Sequence, residues 1–132
     1  MVGKTLSLCI TNFNRDQMLF ESFQNVLNDD RVSEIVIVDD CSQESIVRKI
    51  RDYVKSYPKI KFFQNRKNLG CYRNKAEAIK MATNEYVIIF DSDNIMTKAY
   101  IDKIFEQEWD ENTILAPDYV VSFNYRHFGD VS

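Results

Sequence analysis

The sequence predicts an α/β domain with three layers, α/β/α, built around a mostly parallel sheet. Three observations carry that expectation. Short apolar runs rich in β-branched and aromatic residues, TLSLCI (Thr5 to Ile10), EIVIV (Glu34 to Val38) and YVIIF (Tyr86 to Phe90), read as strands, the last buried on both faces. The segments between the runs repeat apolar residues at helical spacing. Strands alternating with helices across short connections imply parallel neighbours joined by right-handed crossovers.

Thr5 to Ile10 forms the first strand. Asn14, with Gln17 three residues on, has the form of a capping box before a helix whose apolar positions are Met18, Leu19, Phe23, Val26 and Leu27. That helix is expected to end near Asn28-Asp29-Asp30. Glu34 to Val38 is the second strand and runs into Asp39-Asp40. Ser42 is placed to cap the next helix, with Glu44 in its first turn and Ile46, Val47, Ile50 and Val54 facing inward. Pro58 breaks this helix, and Ile60 to Phe63 makes a third strand. A polar loop, Asn65 to Gly70, leads into a helix over Tyr72 to Thr83 that turns Ala76, Ile79 and Ala82 inward. After Tyr86 to Phe90, Thr97 can cap a helix carrying Tyr100, Ile101, Ile104, Phe105 and Trp109, and Ile114 to Phe123 reads as a last strand region interrupted at Pro117. The whole reads as one Rossmann-like domain over residues 1–132, without internal repeat or low-complexity segment.

Composition narrows the function classes. With 45% hydrophobic and 28% charged residues the chain matches ordinary soluble domains, and no apolar run approaches membrane-spanning length. Three cysteines, Cys9, Cys41 and Cys71, lack C-x-x-C spacing, which argues against a disulfide framework or zinc site and fits a reducing cytoplasm. The net charge of −3 conceals a strong polarity: Arg48 to Lys80 holds eleven Lys or Arg against Asp52 and Glu77, whereas Met81 to Asp118 holds nine Asp or Glu against Lys98 and Lys103. That asymmetry suits an anionic ligand held between a basic side and a metal-loaded acidic side. A sequence pI near 5.2 argues against nucleic acid as the partner.

The two acidic pairs, Asp39-Asp40 and Asp91-Ser92-Asp93, both fall at C-terminal strand ends and so along one edge of the sheet, where α/β proteins place ligand chemistry. Unpaired carboxylates beside apolar surface are costly unless a cation neutralises them. A hard divalent ion, Mg2+ or Mn2+, suits such oxygen ligands. A lone D-x-D is more often a polar strand end that caps the next helix; the second pair on the same edge raises the ligand reading above that one.

Four stretches, in order, resemble a known family. SLCITNFNR (Ser7 to Arg15) is similar to a strand followed by P-T-Y-N, with Ile10 in place of Pro and Phe13 for Tyr. EIVIVDDCS (Glu34 to Ser42) is similar to a strand ending in D-D-G-S, with Cys41 for Gly. NLGCYRNKA (Asn68 to Ala76) matches an N-x-G motif with an Arg before its second Asn, and EYVIIFDSDN (Glu85 to Asn94) matches the G-E-Y-I-x-F-L-D-x-D-D stretch that carries a metal motif. Together, over roughly residues 5–98, the set resembles a family 2 glycosyltransferase of the GT-A type, and an ordered set is more specific than any single motif.

The resemblance implies roles for particular residues. Thr11 to Asn14 would contact the nucleotide base and ribose, with Phe13 either stacking or simply core. Asp40, or Asp39, would accept the N3–H of uracil, a job for a carboxylate. Arg73 would lie near the base or diphosphate, and Asp91 and Ser92 near the ribose or nucleotide. Asp93, with Asp91, would hold Mn2+ or Mg2+ between the donor phosphates. The implied partners are a nucleotide-diphosphate sugar, a UDP-sugar foremost, and a glycan, lipid-linked or other hydroxyl acceptor. Peripheral membrane association is compatible with this reading. The implied reaction is inverting and needs a general base, which the sequence does not identify: after Pro117 the carboxylates are Asp118 and Asp130, and His127 reads as a surface residue. The chain is therefore expected to hold the nucleotide-binding half and to stop before the acceptor-binding half. Two other readings stand beside it, a non-catalytic sugar-nucleotide-binding fragment and a phosphoacceptor receiver domain, which also gathers acidic residues at strand ends.

Overall fold

The computed structural model describes residues 4–110. Four strands, β1 (Leu6–Asn12), β2 (Val32–Asp39), β3 (Ile60–Gln64) and β4 (Val87–Asp91), form one sheet in the order β3-β2-β1-β4. Every pairing is parallel. Four α-helices connect or follow them: α1 (Gln17–Phe23), α2 (Glu44–Val54), α3 (Cys71–Met81) and α4 (Lys98–Glu106).

The helices divide between the two faces. Leu19 and Phe23 of α1, Ile50 of α2 and Ile101 of α4 pack with Leu6, Leu8, Ile10, Ile35 and Ile37 in the larger core. Ala78 of α3 packs with Cys9, Val36 and Val38 on the opposite face. All seven residues of β1 are buried, as a central strand covered on both sides requires. A stacked contact between Phe20 and Tyr53, with ring centroids 4.0 Å apart, ties α1 to α2. Because the crossovers from β1 to β2 and from β3 to β4 run on opposite faces, a crevice opens at the carboxyl ends of β1 and β4, the switch point at which such sheets bind ligands.

Several local expectations give way. β4 is the end strand of the sheet among the described residues, and its residues are half-buried, with Ile89 36% exposed, instead of buried on both faces. Helix α1 is capped by Asp16, whose Oδ1 accepts from the Gln17 N–H at 2.6 Å; Asn14 lies outside the helix. Ser42 does not cap α2, which starts after Gln43 without a side-chain cap. In α3 the buried residues are Asn74 and Ala78; Ala82, just past the helix end, packs against the same core as expected, while Ala76 and Ile79 are exposed, Ala76 lying on the opposite side of the helix from the buried stripe. Thr97 does cap α4, accepting from the Tyr100 N–H at 3.1 Å. The expected strand region at 114–123, with Asp118, His127 and Asp130, lies outside the described residues.

The amino end of the sheet holds a closed polar cluster. Glu34, 4% exposed, accepts from Ser7 Oγ, Lys61 Nζ, the Thr83 N–H and Thr83 Oγ1 at 2.5 to 3.0 Å. Burial pushes its carboxyl up, but these bonds outweigh it and hold the group down at about 2. Beside it, burial and the Glu34 charge push the Cys9 thiol up to about 12, which leaves it an inert core group.

Candidate active site

The strand register builds the site. β1 places Thr11 opposite Asp91 on one side and Asn12 opposite Asp39 on the other. The ladders then extend one residue past each strand end, through Asp40 N–H to Asn12 O at 2.9 Å and Ser92 N–H to Thr11 O at 3.0 Å. The acidic pairs thus flank the end of β1, as their strand-end positions require.

Two short loops shape the rim. The loop after β1 turns at Asn14, φ 52°, and the loop after β2 turns at Cys41, φ 64°. Both sit in the left-handed region, which Asn tolerates and Cys does so less readily. This accounts for the Gly that the resemblance places where Cys41 stands. The loops are laced together: the Asn14 N–H donates to Ser42 Oγ at 2.7 Å, and Asn14 Oδ1 accepts from the Gln43 N–H at 2.8 Å.

Adjacent carboxylates of the first pair do different work. Asp39 is fully buried and saturated, accepting from Asn12 Nδ2, Ser42 N–H and Ser42 Oγ at 2.5 to 3.0 Å. It fixes the loop instead of facing the cleft. Asp40 lines the cleft and also secures the loop before α3, accepting from Asn65 Nδ2, Leu69 N–H and Gly70 N–H at 2.6 to 3.0 Å. Asn74, 3% exposed, completes this wall by donating to Val38 O at 3.1 Å and accepting from Asn65 Nδ2 at 2.8 Å.

The second pair is more open. Asp91 Oδ1 accepts from Thr11 Oγ1 at 2.6 Å and lies 3.7 Å from Lys75 Nζ. Burial works against the Lys75 charge, yet Asp91 and Cys71 hold its ammonium above the ordinary lysine range. Asp93 Oδ2 lies 3.7 Å from Arg15 Nη2, an ion pair too long for a hydrogen bond, while Arg15 Nη1 donates to the buried Ser92 Oγ at 3.3 Å. The cleft between these walls measures about 330 Å³ and is lined by Thr11, Asn12, Phe13, Arg15, Asp40, Asn68, Gly70, Cys71, Asn74, Asp91 and Asp93. Phe13 is 45% exposed at its edge, so it is a rim residue and not core. Asn12 Oδ1 is buried and has no protein hydrogen-bond partner among the described residues.

Of the residues singled out from sequence, Thr11, Phe13, Asp40, Asp91 and Asp93 meet in the cleft. Asn14, Asp39 and Ser92 stand behind it as supports, and Arg73 is exposed on α3 without lining it. Asn12, within the Thr11 to Asn14 segment that the resemblance assigns to base and ribose, also lines the cleft, whereas Arg15, Asn74 and Lys75 carried no role in the sequence reading. The signal for Asn74 is a polar residue at the buried phase of α3; Arg15 and Lys75 are cations that each reach one carboxylate of the second acidic pair, Asp93 and Asp91, which shows only once the chain is folded. Among the described residues no three His, Cys, Asp or Glu side chains group as a ready-made metal cage. A pair of oxygen donors beside an open cleft instead fits Mg2+ or Mn2+ chemistry, in which one or two carboxylates share the ion with phosphate and water. Asp93 and Asp91 are the residues that would hold it.

Comparison with known proteins agrees with this geometry. The family model described as glycosyl transferase family 2 matches residues 7–128. The chain belongs to that family. Among curated relatives, cholesterol galactosyltransferase of Borreliella burgdorferi (strain ATCC 35210 / DSM 4680 / CIP 102532 / B31) is 27% identical over 127 residues, covering 93% of this chain and 33% of that protein. The structure of S. aureus TarS 1-349 in complex with UDP superposes with a TM-score of 0.66 at 24% identity, covering 77% of this chain and 31% of that one. A mannosyltransferase from Pyrobaculum calidifontis, in complex with GDP-Man and Mn2+, gives a TM-score of 0.59 at 22% identity, covering 68% and 28%. At those identities the likeness shows the fold, a GT-A-type α/β arrangement. The family 2 chain spans about a third of the length of the relatives it matches.

Proposed function

We propose that this family 2 chain supplies the donor-binding part of a glycosyltransferase that moves a sugar from a nucleotide diphosphate, a UDP-sugar, to an acceptor hydroxyl with inversion. The observation that carries the reading is the convergence of Thr11, Phe13, Asp40, Asp91 and Asp93 on one cleft at the switch point of the sheet. Phe13 offers a face for the base at the rim, and Asp40 an acceptor for the uracil N3–H. Its three bonds to the 65–70 loop leave a carboxylate lone pair for that purpose. The orphaned Asn12 Oδ1 is a second buried acceptor at the same wall, suited to a ribose hydroxyl or base N–H. Asp91 and Asp93 face the diphosphate position, with Arg15 and Lys75 beside them to balance charge.

A divalent cation shared between those carboxylates and the donor phosphates would stabilise charge on the departing diphosphate. Complexes of two structural neighbours with UDP, or with GDP-Man and Mn2+, support that expectation. No described residue is assigned as general base, so donor binding is the function this chain is proposed to perform by itself. The receiver reading loses its support with the family match, and with the acidic pair standing on the second strand of the chain.

The test is a calorimetric titration of the 132-residue chain with UDP, GDP and ADP in Mn2+. Preference for UDP is expected. Equal affinity for all three would remove the base-reading roles of Asp40 and Phe13, and no binding at all would remove the reading itself.

A further inference from the structure

The basic middle of the chain is not evenly solvated. Of its eleven Lys and Arg residues from Arg48 to Lys80, six are paired with carboxylates, Arg51 lies over the Phe62 ring, and Lys59 donates to backbone carbonyls. The remaining three, Arg66, Lys67 and Arg73, are exposed and make no side-chain hydrogen bond or ion pair among the described residues. All three come from the loop after β3 and the first turn of α3, at the carboxyl edge of the sheet beside the cleft mouth. Tyr72, 88% exposed, lies in the same turn.

This patch sits on a fixed support. The Leu69 and Gly70 N–H groups donate to the Asp40 carboxylate, and Asn68 Nδ2 donates to Asp40 O at 3.2 Å. Arg66 and Lys67 themselves lie outside the cleft lining, so their charge is presented outward and not to a ligand in the cleft. Three cations are too few for a nucleic-acid backbone, whose binders neutralise many phosphates. A weak contact with an anionic membrane surface asks less, because there each exposed Lys or Arg adds to partitioning by itself and an exposed aromatic ring can sit at headgroup level.

We propose that Arg66, Lys67 and Tyr72, with Arg73, dock the chain onto an anionic lipid leaflet. This goes beyond the donor-binding reading and does not depend on it, because the docking residues other than Arg73 have no assigned role in the cleft. Binding by so small a patch is weak and salt-sensitive, since exposed charges are screened within about 10 Å at 0.1 M salt.

The test is co-sedimentation of the 132-residue chain with phosphatidylcholine vesicles, with and without phosphatidylglycerol, at low and high salt. The chain is expected to pellet only with anionic vesicles at low salt. Each basic residue is worth roughly fivefold in partitioning, so Arg66→Gln/Lys67→Gln should weaken binding about 25-fold, and Arg66→Glu/Lys67→Glu further. Lys55→Glu, at a cation already paired with Asp52 at the carboxyl end of α2, is the control and should change little. Equal binding to neutral vesicles, no binding to either, or an equal loss in Lys55→Glu would overturn the proposal. UDP affinity is measured on the same double variants: unchanged affinity supports lipid docking, and lost affinity would assign the cations to the nucleotide and overturn it.

Discussion

The two ends of this sheet hold buried or half-buried carboxylates in opposite states. At the amino end Glu34 is enclosed by Ser7, Lys61 and Thr83, and its partners hold its carboxyl down at about 2. At the carboxyl end Asp91 and Asp93 are 41% and 32% exposed on their side chains, and their cations stand 3.7 Å away. The same residue class is structural where its bonds are complete and available for chemistry where they are not. Asp39 and Asp40 differ in direction and not in number of bonds: each accepts three hydrogen bonds, but Asp39 is turned into the loop by Asn12 and Ser42, whereas Asp40 lines the cleft.

The contrast predicts different responses to mutation. Glu34→Ala should destabilise the fold most, by about 1–3 kcal/mol, because it leaves the Thr83 N–H and the Ser7 hydroxyl without their buried acceptor and Lys61 without its ion pair. Chemical denaturation checks it. Asp93→Asn should leave stability within about 0.5 kcal/mol, since among the described residues its pairing is one long ion pair at a half-exposed position. A comparable loss at both sites would erase the distinction between the two ends.

The same contrast has a pH signature. The Glu34 carboxyl titrates at about 2 in the folded chain against an ordinary 4.5, so the unfolded chain binds more protons in that window. Its stabilisation is present above about pH 4.5 and is lost as pH falls toward 2, a total of about 3 kcal/mol. Glu34→Gln should flatten the stability profile in that window when unfolding is followed from pH 6 to pH 2. A profile unchanged by the substitution would contradict the assignment.

Smaller effects sharpen the account of the loops. Thr97→Ala should cost about 1 kcal/mol by removing the cap of α4, read as a lower thermal midpoint. Cys41→Gly should act in the other direction and raise stability by roughly 0.5–1 kcal/mol, since a left-handed conformation costs a side-chain-bearing residue more than the entropy glycine gives up. Destabilisation by that change would mean that the Cys41 side chain matters more than its backbone strain.

Much of this architecture was legible because it rests on local patterns. TLSLCI, EIVIV and YVIIF are apolar runs that only a sheet can bury, and each strand is present within two residues of the expected bounds at most positions. Both acidic pairs could be placed on one edge because parallel strands share their carboxyl ends. What was not legible depended on phase and on partners distant in sequence. The buried stripe of α3 follows Asn74 and Ala78, and Asn74 is inward because Val38 O and Asn65 lie there. Asn14 fits a capping-box pattern, but its side-chain oxygen accepts from the Gln43 N–H, 29 residues away, and Asp16 supplies the cap instead. Which of Asp39 and Asp40 faces the cleft was likewise undecided until Ser42 and Asn12 were seen to claim Asp39.

The open carboxylates Asp91 and Asp93 at the carboxyl end are proposed to serve a metal-bound nucleotide diphosphate. The most direct measurement is a calorimetric titration of UDP into the chain and into Asp93→Ala, each with and without Mn2+. Affinity is expected to rise with Mn2+ in the native chain, and the enhancement to fall by about 10–100-fold or vanish in Asp93→Ala, with the fold intact by circular dichroism. UDP binding of equal strength in all four titrations would contradict it.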